Sequence, residues 1–339
     1  MRVIEDKKEN MMDNKIRLGV IGIGFAWDRL HYPALKELAD KYEIVAVCNK
    51  TIDKAEGFAQ SIHLQPDQIY GDYKEMLKRS DIDAVDVLVP ISENFEVAKD
   101  VLMANKQLIA EKPLAATLEG AKELIELKNR TNQKMMVAEN FRYDDGFNMI
   151  KSVIAGGQIG EVMYFMLNTG ADFENDMTSD TFGAKEWRQH PNFEGGIFLD
   201  GGIHDIALMR FLFGDVETVH AFGREQDEPY CPYRAINALL KFQNSVVGLY
   251  SYDSKGTEFQ KPPVGLRIFG TLGEIYLENK ECGTIQINYQ NGTSEQKTYT
   301  PSRGYYNELL NFYNGDIVST PEKEIGDMEL IFNILHAIK

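Results

Sequence analysis

Three residues in this chain have the types and spacing for proton transfer: Lys112, Asp200 and His204. Lys112 stands in Glu111-Lys112-Pro113, directly after the apolar run Gln107–Ala110. An ammonium group there can hydrogen-bond a hydroxyl or carbonyl oxygen, polarise it and assist proton transfer. Pro113 restricts the backbone behind it. Asp200 and His204 lie four residues apart in Glu194-Gly195-Gly196-Ile197-Phe198-Leu199-Asp200-Gly201-Gly202-Ile203-His204-Asp205, so on one helix they would share a face. A carboxylate beside an imidazole fixes its tautomer and stabilises the imidazolium, which makes His204 a better base. Each feature alone has a plain structural role: a surface lysine, a capping aspartate, a satisfied histidine. A third feature upstream gives them a shared purpose.

That feature is Ile16-Arg17-Leu18-Gly19-Val20-Ile21-Gly22-Ile23-Gly24, a strand entering a tight turn. Gly22 lets the turn close, and Gly24 removes a Cβ where a pyrophosphate must approach the backbone. The helix that follows offers its free N–H groups to that anion. The third position of the usual glycine pattern is Trp27, which predicts that the helix starts late or splays outward. A second strand ends at Asn49, where an acid would bind a ribose 2′-hydroxyl. Neutral Asn49, with Lys50 and Thr51 able to hold a 2′-phosphate, favours NADP over NAD. A solvated lysine and a helix-capping threonine are the plain alternative.

The elements that must position these residues follow from periodicity. Between 16 and 139, short apolar runs (Ile16–Ile21, Ile44–Cys48, Ala84–Val89, Gln107–Ala110, Lys134–Ala138) alternate with helix-period stretches. That alternation predicts a parallel, doubly wound α/β sheet, a Rossmann domain over 15–139. Lys112 then falls at the carboxyl edge of the sheet, where such folds bind ligands. From about Asn140 strands dominate, several joined by turns such as Gln243-Asn244 and Gln290-Asn291-Gly292. This predicts an α+β domain over 140–339 with a large, mostly antiparallel sheet. Helices cover one face; the other is expected to carry Tyr250, Tyr252 and Val247 and to meet another subunit.

Size and charge narrow the function. The 339 residues suit two domains, and 43% apolar content excludes wholesale disorder. The 52 acidic against 36 basic residues give −16, a field that disfavours nucleic acid. Cys48, Cys231 and Cys282 form no disulfide framework and point to a reducing, cytoplasmic setting. Residues 1–14 read as a loose polar tail, not a signal peptide, and Met11 or Met12 could be alternative starts. No apolar run would span a bilayer. The other histidines show no metal-ligand spacing, so no metal is expected.

Taken in order, the motifs resemble the Gfo/Idh/MocA oxidoreductases, the family of glucose–fructose oxidoreductase and inositol 2-dehydrogenase. The likeness runs over 15–339 through Gly22-x-Gly24, Glu111-Lys112-Pro113, Asn140-x-Arg142, Gly157-x-Ile159-Gly160-Glu161-Val162, Trp187-Arg188 and Gly195-Gly196-x-x-x-Asp200-x-Gly202-x-His204. The resemblance implies NAD(P)-dependent hydride transfer to or from a sugar, cyclitol or related compound. It implies Lys112, Asp200 and His204 as catalytic and substrate-contacting residues, with Tyr305 lining the substrate pocket. Cofactor contacts are implied at Gly22, Gly24, Phe25, Ala26 and Trp27, and at Asn49, Lys50 and Thr51. Further ones are implied at Pro90, Glu111, Lys112, Asn140, Trp187 and Arg188. It also implies a homodimer or homotetramer through the open sheet. Two departures stand out: Trp27, and Val89-Pro90-Ile91-Ser92-Glu93-Asn94 where the family often shows Thr-Pro-Asn-x-x-His.

On this reading hydride moves between substrate and nicotinamide while Lys112 holds the oxygen, Asp200 steadies the imidazole and His204 takes the proton. Three rivals stay open: a non-catalytic dinucleotide sensor or regulator, a dihydrodiol- or bilin-type reductase, and a structural assembly subunit.

Overall fold

The computed structural model describes residues 15–170, 172–255 and 265–338; the expected tail lies outside this range. The first half forms β1 (Ile16–Ile21), β2 (Tyr42–Cys48), β3 (Ile69–Tyr70), β4 (Ala84–Val87), β5 (Gln107–Glu111) and β6 (Met135–Ala138). They pair in parallel in the order β3-β2-β1-β4-β5-β6. The order reverses at β1 and β4, which opens a crevice beyond their carboxyl ends. Strands β4 and β6 are buried throughout because helices cover both faces. That is why β6 reads as an unbroken apolar run, and β4 as one interrupted only by Asp86, rather than as alternating strands.

The second half forms β7 (Val162–Gly170), β8 (Val216–Glu225), β9 (Tyr233–Phe242), β10 (Val247–Asp253), β11 (Leu266–Gly270), β12 (Gly273–Leu277), β13 (Thr284–Tyr289) and β14 (Ser294–Thr298). Their order is β14-β13-β12-β11-β7-β10-β9-β8. Only β7 and β10 pair in parallel; the neighbours are antiparallel. The fold class is thus the expected one. Strands β3 and β14 escape sequence reading because one has two residues and the other is almost wholly polar.

One face of the second sheet is covered, and its assignment needs correction. Tyr250 and Tyr252 are buried on the covered face, against Phe198. Val247 is on the open face, as expected, with Leu249, Leu239 and Phe222. The alternation along β10 decides this: Val247, Leu249 and Ser251 share one side, Gly248, Tyr250 and Tyr252 the other.

Trp27 also departs from expectation. The helix is already formed at residue 25, and it widens into a π turn over Trp27–His31 before continuing as Tyr32–Glu37. The fully buried indole stacks on Tyr32 and meets the edge of Phe58. A wide turn, not a late start, accommodates the bulky residue at the third motif position.

Candidate active site

A cavity of about 670 Å³ lies between the carboxyl edge of the first sheet and the covered face of the second. Its floor is the β1 turn. Gly22 has φ +103°, and a Cβ there would sit 2.2 Å from the carbonyl oxygen of Leu88. Only glycine fits both demands. A Cβ on Gly24 would meet nothing within 4 Å, so it would project into open space along the cavity. That bare backbone at a helix start suits a pyrophosphate.

Of the other expected cofactor residues, Phe25, Ala26, Asn49, Lys50, Thr51, Pro90, Glu111, Lys112, Trp187 and Arg188 line the cavity. Two do not. Trp27 is turned into the helix packing described above. Asn140 is buried behind the cavity wall, against Gly304 at the start of the helix Gly304–Asn314. Asn49 uses its side chain to tie the floor together: Oδ1 accepts from Ile23 N at 2.9 Å and Nδ2 donates to Thr51 O at 2.9 Å. Lys50 pairs with Glu93 at 2.7 Å on the exposed rim. The Phe25 ring has Arg29 at 4.0 Å and Lys185 at 3.7 Å from its centre, and Phe182 meets it edge-on. Arg29 also reaches Asp180, so the segment around 180–185 closes over the floor.

Lys112 is held from behind. Helix Ile91–Met103 begins directly after Pro90, which puts Asn94 inside it. Asn94 Nδ2 donates to the carbonyls of Glu111 at 2.6 Å and Pro113 at 2.9 Å, flanking Lys112. The Lys112 ammonium donates to Asp200, to its carbonyl at 2.8 Å and to Oδ1 at 3.2 Å. Arg188 grips the other carboxylate oxygen of Asp200. Burial would push the Asp200 carboxyl up, but the charges of Lys112 and Arg188 outweigh it and hold it well below the usual range.

The expected Asp200–His204 dyad is corrected by this arrangement. Asp200 ends a short helix, Ile197–Asp200, and Gly201 and Gly202 break the chain before the helix Ile203–Phe213. No hydrogen bond joins the two side chains among the described residues. Asp200 serves Lys112, and the carboxylate on the imidazole is Glu139. His204 Nδ1 lies 2.9 Å from both Glu139 oxygens, and its ring stacks on Phe141 at 4.7 Å. Glu139 is fully buried; burial raises its carboxyl, but the His204 charge more than offsets this and keeps it low. Glu139 follows β6 as Lys112 follows β5, and these strands are paired in register. An acid at that strand end was the signal available in the sequence.

A second histidine was also missed. His31, fully buried, lies 2.9 Å from Asp86 and 3.1 Å from Glu111 through its two ring nitrogens. Burial lowers its affinity for a proton, yet Asp86 and Glu111 more than compensate and hold it well above the usual histidine range. The sequence clue was Asp86 itself, a lone charge within the buried strand Ala-Val-Asp-Val. Tyr305 lines the cavity as expected, with its ring 5.7 Å from His31. Glu308 lies nearby with no hydrogen-bond partner among the described residues, and burial drives its carboxyl well up.

Comparison with known proteins decides the family. Residues 16–139 match the oxidoreductase family with NAD-binding Rossmann fold, and 147–276 match the GFO/IDH/MocA C-terminal domain. An uncharacterized protein of Saccharomyces cerevisiae is 30% identical over 91% of this chain and 89% of its own. The chain belongs to the Gfo/Idh/MocA oxidoreductases. Among the members of this family it resembles is the scyllo-inositol 2-dehydrogenase (NAD(+)) of Bacillus subtilis, at 26% identity over 84% of this chain and 80% of that one. An oxidoreductase from Thermotoga maritima superposes with a TM-score of 0.82 at 28% identity, covering 96% of this chain and 97% of the other. The protein is thus an NAD(P)-dependent oxidoreductase of the Gfo/Idh/MocA fold. Among the described residues no helix is long and apolar enough to cross a membrane, and none of the His, Cys, Asp and Glu side chains form a metal-binding group.

Proposed function

We propose that the cavity oxidises or reduces a hydroxyl-bearing carbon of a sugar or cyclitol, with Lys112 and His204 handling the proton. Bound above the Gly22–Gly24 floor, a nicotinamide dinucleotide supplies or accepts the hydride. Lys112 donates to the substrate oxygen and keeps it polarised. His204 takes the hydroxyl proton at Nε2, while Glu139 holds Nδ1 and stabilises the imidazolium. Asp200 and Arg188 fix the Lys112 ammonium, and Glu111, gripped by His31, fixes its peptide: Glu111 accepts from Lys112 N at 3.1 Å. The observation that carries this reading is that Lys112, His204 and the glycine floor border one cavity.

Gly22, Gly24, Phe25 and Ala26 would hold the pyrophosphate side, and Pro90, Glu111, Trp187 and Arg188 the nicotinamide side. Trp27 and Asn140 drop out of that set because neither reaches the cavity. Lys50 and Thr51 at the rim, with no acid at position 49, support NADP over NAD. Tyr305 would line the substrate end. The open sheet face, with Phe222 69% and Leu239 50% exposed, supports a homodimer or homotetramer. The free thiols of Cys48, Cys231 and Cys282 fit a cytoplasmic setting. Thermal melting with NADPH and NADH tests the cofactor: ligand at about 100 times its Kd adds about 2.7 kcal/mol. A sugar and cyclitol screen by nicotinamide absorbance then tests the activity, and Lys112→Ala should abolish any turnover found.

A further inference from the structure

Five carboxylates line the cavity, and the proton-transfer account leaves one of the buried ones unused. Glu93 is paired with Lys50, Glu111 with His31, and Asp200 with Lys112 and Arg188. Asp176 is only half-buried. Asp205 is 9% exposed and forms no ion pair among the described residues. Its Oδ2 accepts from Thr169 Oγ1 at 2.6 Å and from Tyr250 Oη at 2.9 Å. These donors come from β7 and β10, the parallel pair at the centre of the second sheet. No donor among the described residues reaches Oδ1, and that oxygen is not sealed in protein.

We propose that Asp205 selects the substrate: Oδ1 accepts a hydrogen bond from a hydroxyl other than the reacting one, so the site takes neutral polyhydroxy compounds and rejects their carboxylic-acid counterparts. This rests on the reading of the cavity as a site for hydroxyl chemistry. Two neutral hydroxyls fix the plane of the carboxyl but leave its charge uncancelled. A substrate O–H would satisfy the open oxygen. A substrate carboxylate would bring a second anion against an uncompensated one in a desolvated place. Burial already raises the Asp205 carboxyl to about 6, which reports how little compensation it has. Asp205 also follows His204 directly in the first turn of its helix. Consecutive helical side chains diverge, so Asp205 addresses a different part of the substrate from the base.

The test uses full-length protein loaded with NADPH or NADP⁺. Binding of D-glucose against D-glucuronate, D-galactose against D-galacturonate, and myo-inositol is measured by calorimetry, with turnover followed alongside. The wild-type protein should prefer at least one neutral sugar over its uronate by about tenfold or more. Asp205→Asn, with the charge gone, should narrow that ratio to about threefold or less while NADPH affinity holds. A uronate bound as well as its sugar by the wild type overturns the proposal. So does an unchanged ratio in folded Asp205→Asn. If neutral sugars turn over but the ratio is unmoved, only the role of Asp205 fails; if no probe binds to the NADPH-loaded protein, the sugar reading fails with it. Should Asp205→Asn not fold, Thr169→Val replaces it, since loss of one clamp donor should also weaken the discrimination; an unmoved ratio there overturns the proposal equally.

Discussion

His204 Nδ1 lies 2.9 Å from both carboxylate oxygens of Glu139, a residue 65 positions earlier in the chain. The imidazole is thereby held through Nδ1, and Nε2 has no hydrogen-bond partner among the described residues. Glu139→Gln keeps the shape but removes the charge that stabilises the imidazolium. Turnover should fall by about 100-fold or more, while NADPH affinity changes little. Steady-state kinetics and a NADPH titration check both halves.

Asp200 should matter to stability as well as to turnover. Its folded-state carboxyl is held below its unfolded value, so its contribution is fully present above about pH 4 and is lost as pH falls further. Asp200→Ala leaves Lys112 and Arg188 without their shared counter-charge. Breaking one side of such a buried pair costs about 3–5 kcal/mol at neutral pH. Urea midpoints should show that deficit at pH 7 and a shrinking one in acid.

Asp205 has the opposite sign. Its folded carboxyl is raised to about 6, so the folded state holds the proton more tightly than the unfolded chain does. Wild-type stability contributed by this group therefore falls as pH rises between about 4 and 6, by about 3 kcal/mol across the window. Asp205→Asn should lack that slope. The difference between the two unfolding curves, followed across this window, isolates the effect.

The two glycines of the floor should fail differently. Gly22→Ala meets the Leu88 carbonyl at 2.2 Å in a backbone conformation that disfavours a side chain, so the β1 turn must move and stability should drop by about 1–3 kcal/mol. Gly24→Ala meets nothing within 4 Å. Its stability should stay within about 0.5 kcal/mol of wild type. Its dinucleotide Kd should rise by about tenfold, because the added methyl stands where the pyrophosphate must come close. Melting curves and cofactor titrations on the two variants separate the roles.

The open sheet face gives a further test. A charge placed at Leu239, as in Leu239→Glu, sits on the exposed apolar face and would have to be desolvated in a pairing through that face. Light scattering should report a smaller assembly than wild type, with the monomer fold retained by circular dichroism.

The fold was legible in the sequence because its signals are local. The apolar runs of β1, β4 and β5 and the glycine turns needed no knowledge of their partners. The glycine floor and Lys112 were legible for the same reason, each being tied to a strand end. The pairing of carboxylates with cations was not. Asp200 and His204 look like partners in a linear reading, yet each finds its partner far off in sequence, Asp200 at Lys112 and His204 at Glu139. His31, Asp86 and Glu111 converge from three separate elements, so no spacing rule joins them. Trp27 was visible as a misfit, but a widened turn is a tertiary solution that the motif alone does not specify.

The central claim is that Lys112 and His204 serve the chemistry rather than the binding of the dinucleotide. Single-turnover kinetics on Lys112→Met and His204→Gln, loaded with NADPH and mixed with a saturating carbonyl substrate from the screen, tests it most directly. The expected result is NADPH binding within about threefold of wild type and a hydride-transfer rate reduced by about 100-fold or more in each variant. Wild-type transfer rates in either variant, or loss of NADPH binding as the sole defect, would contradict it.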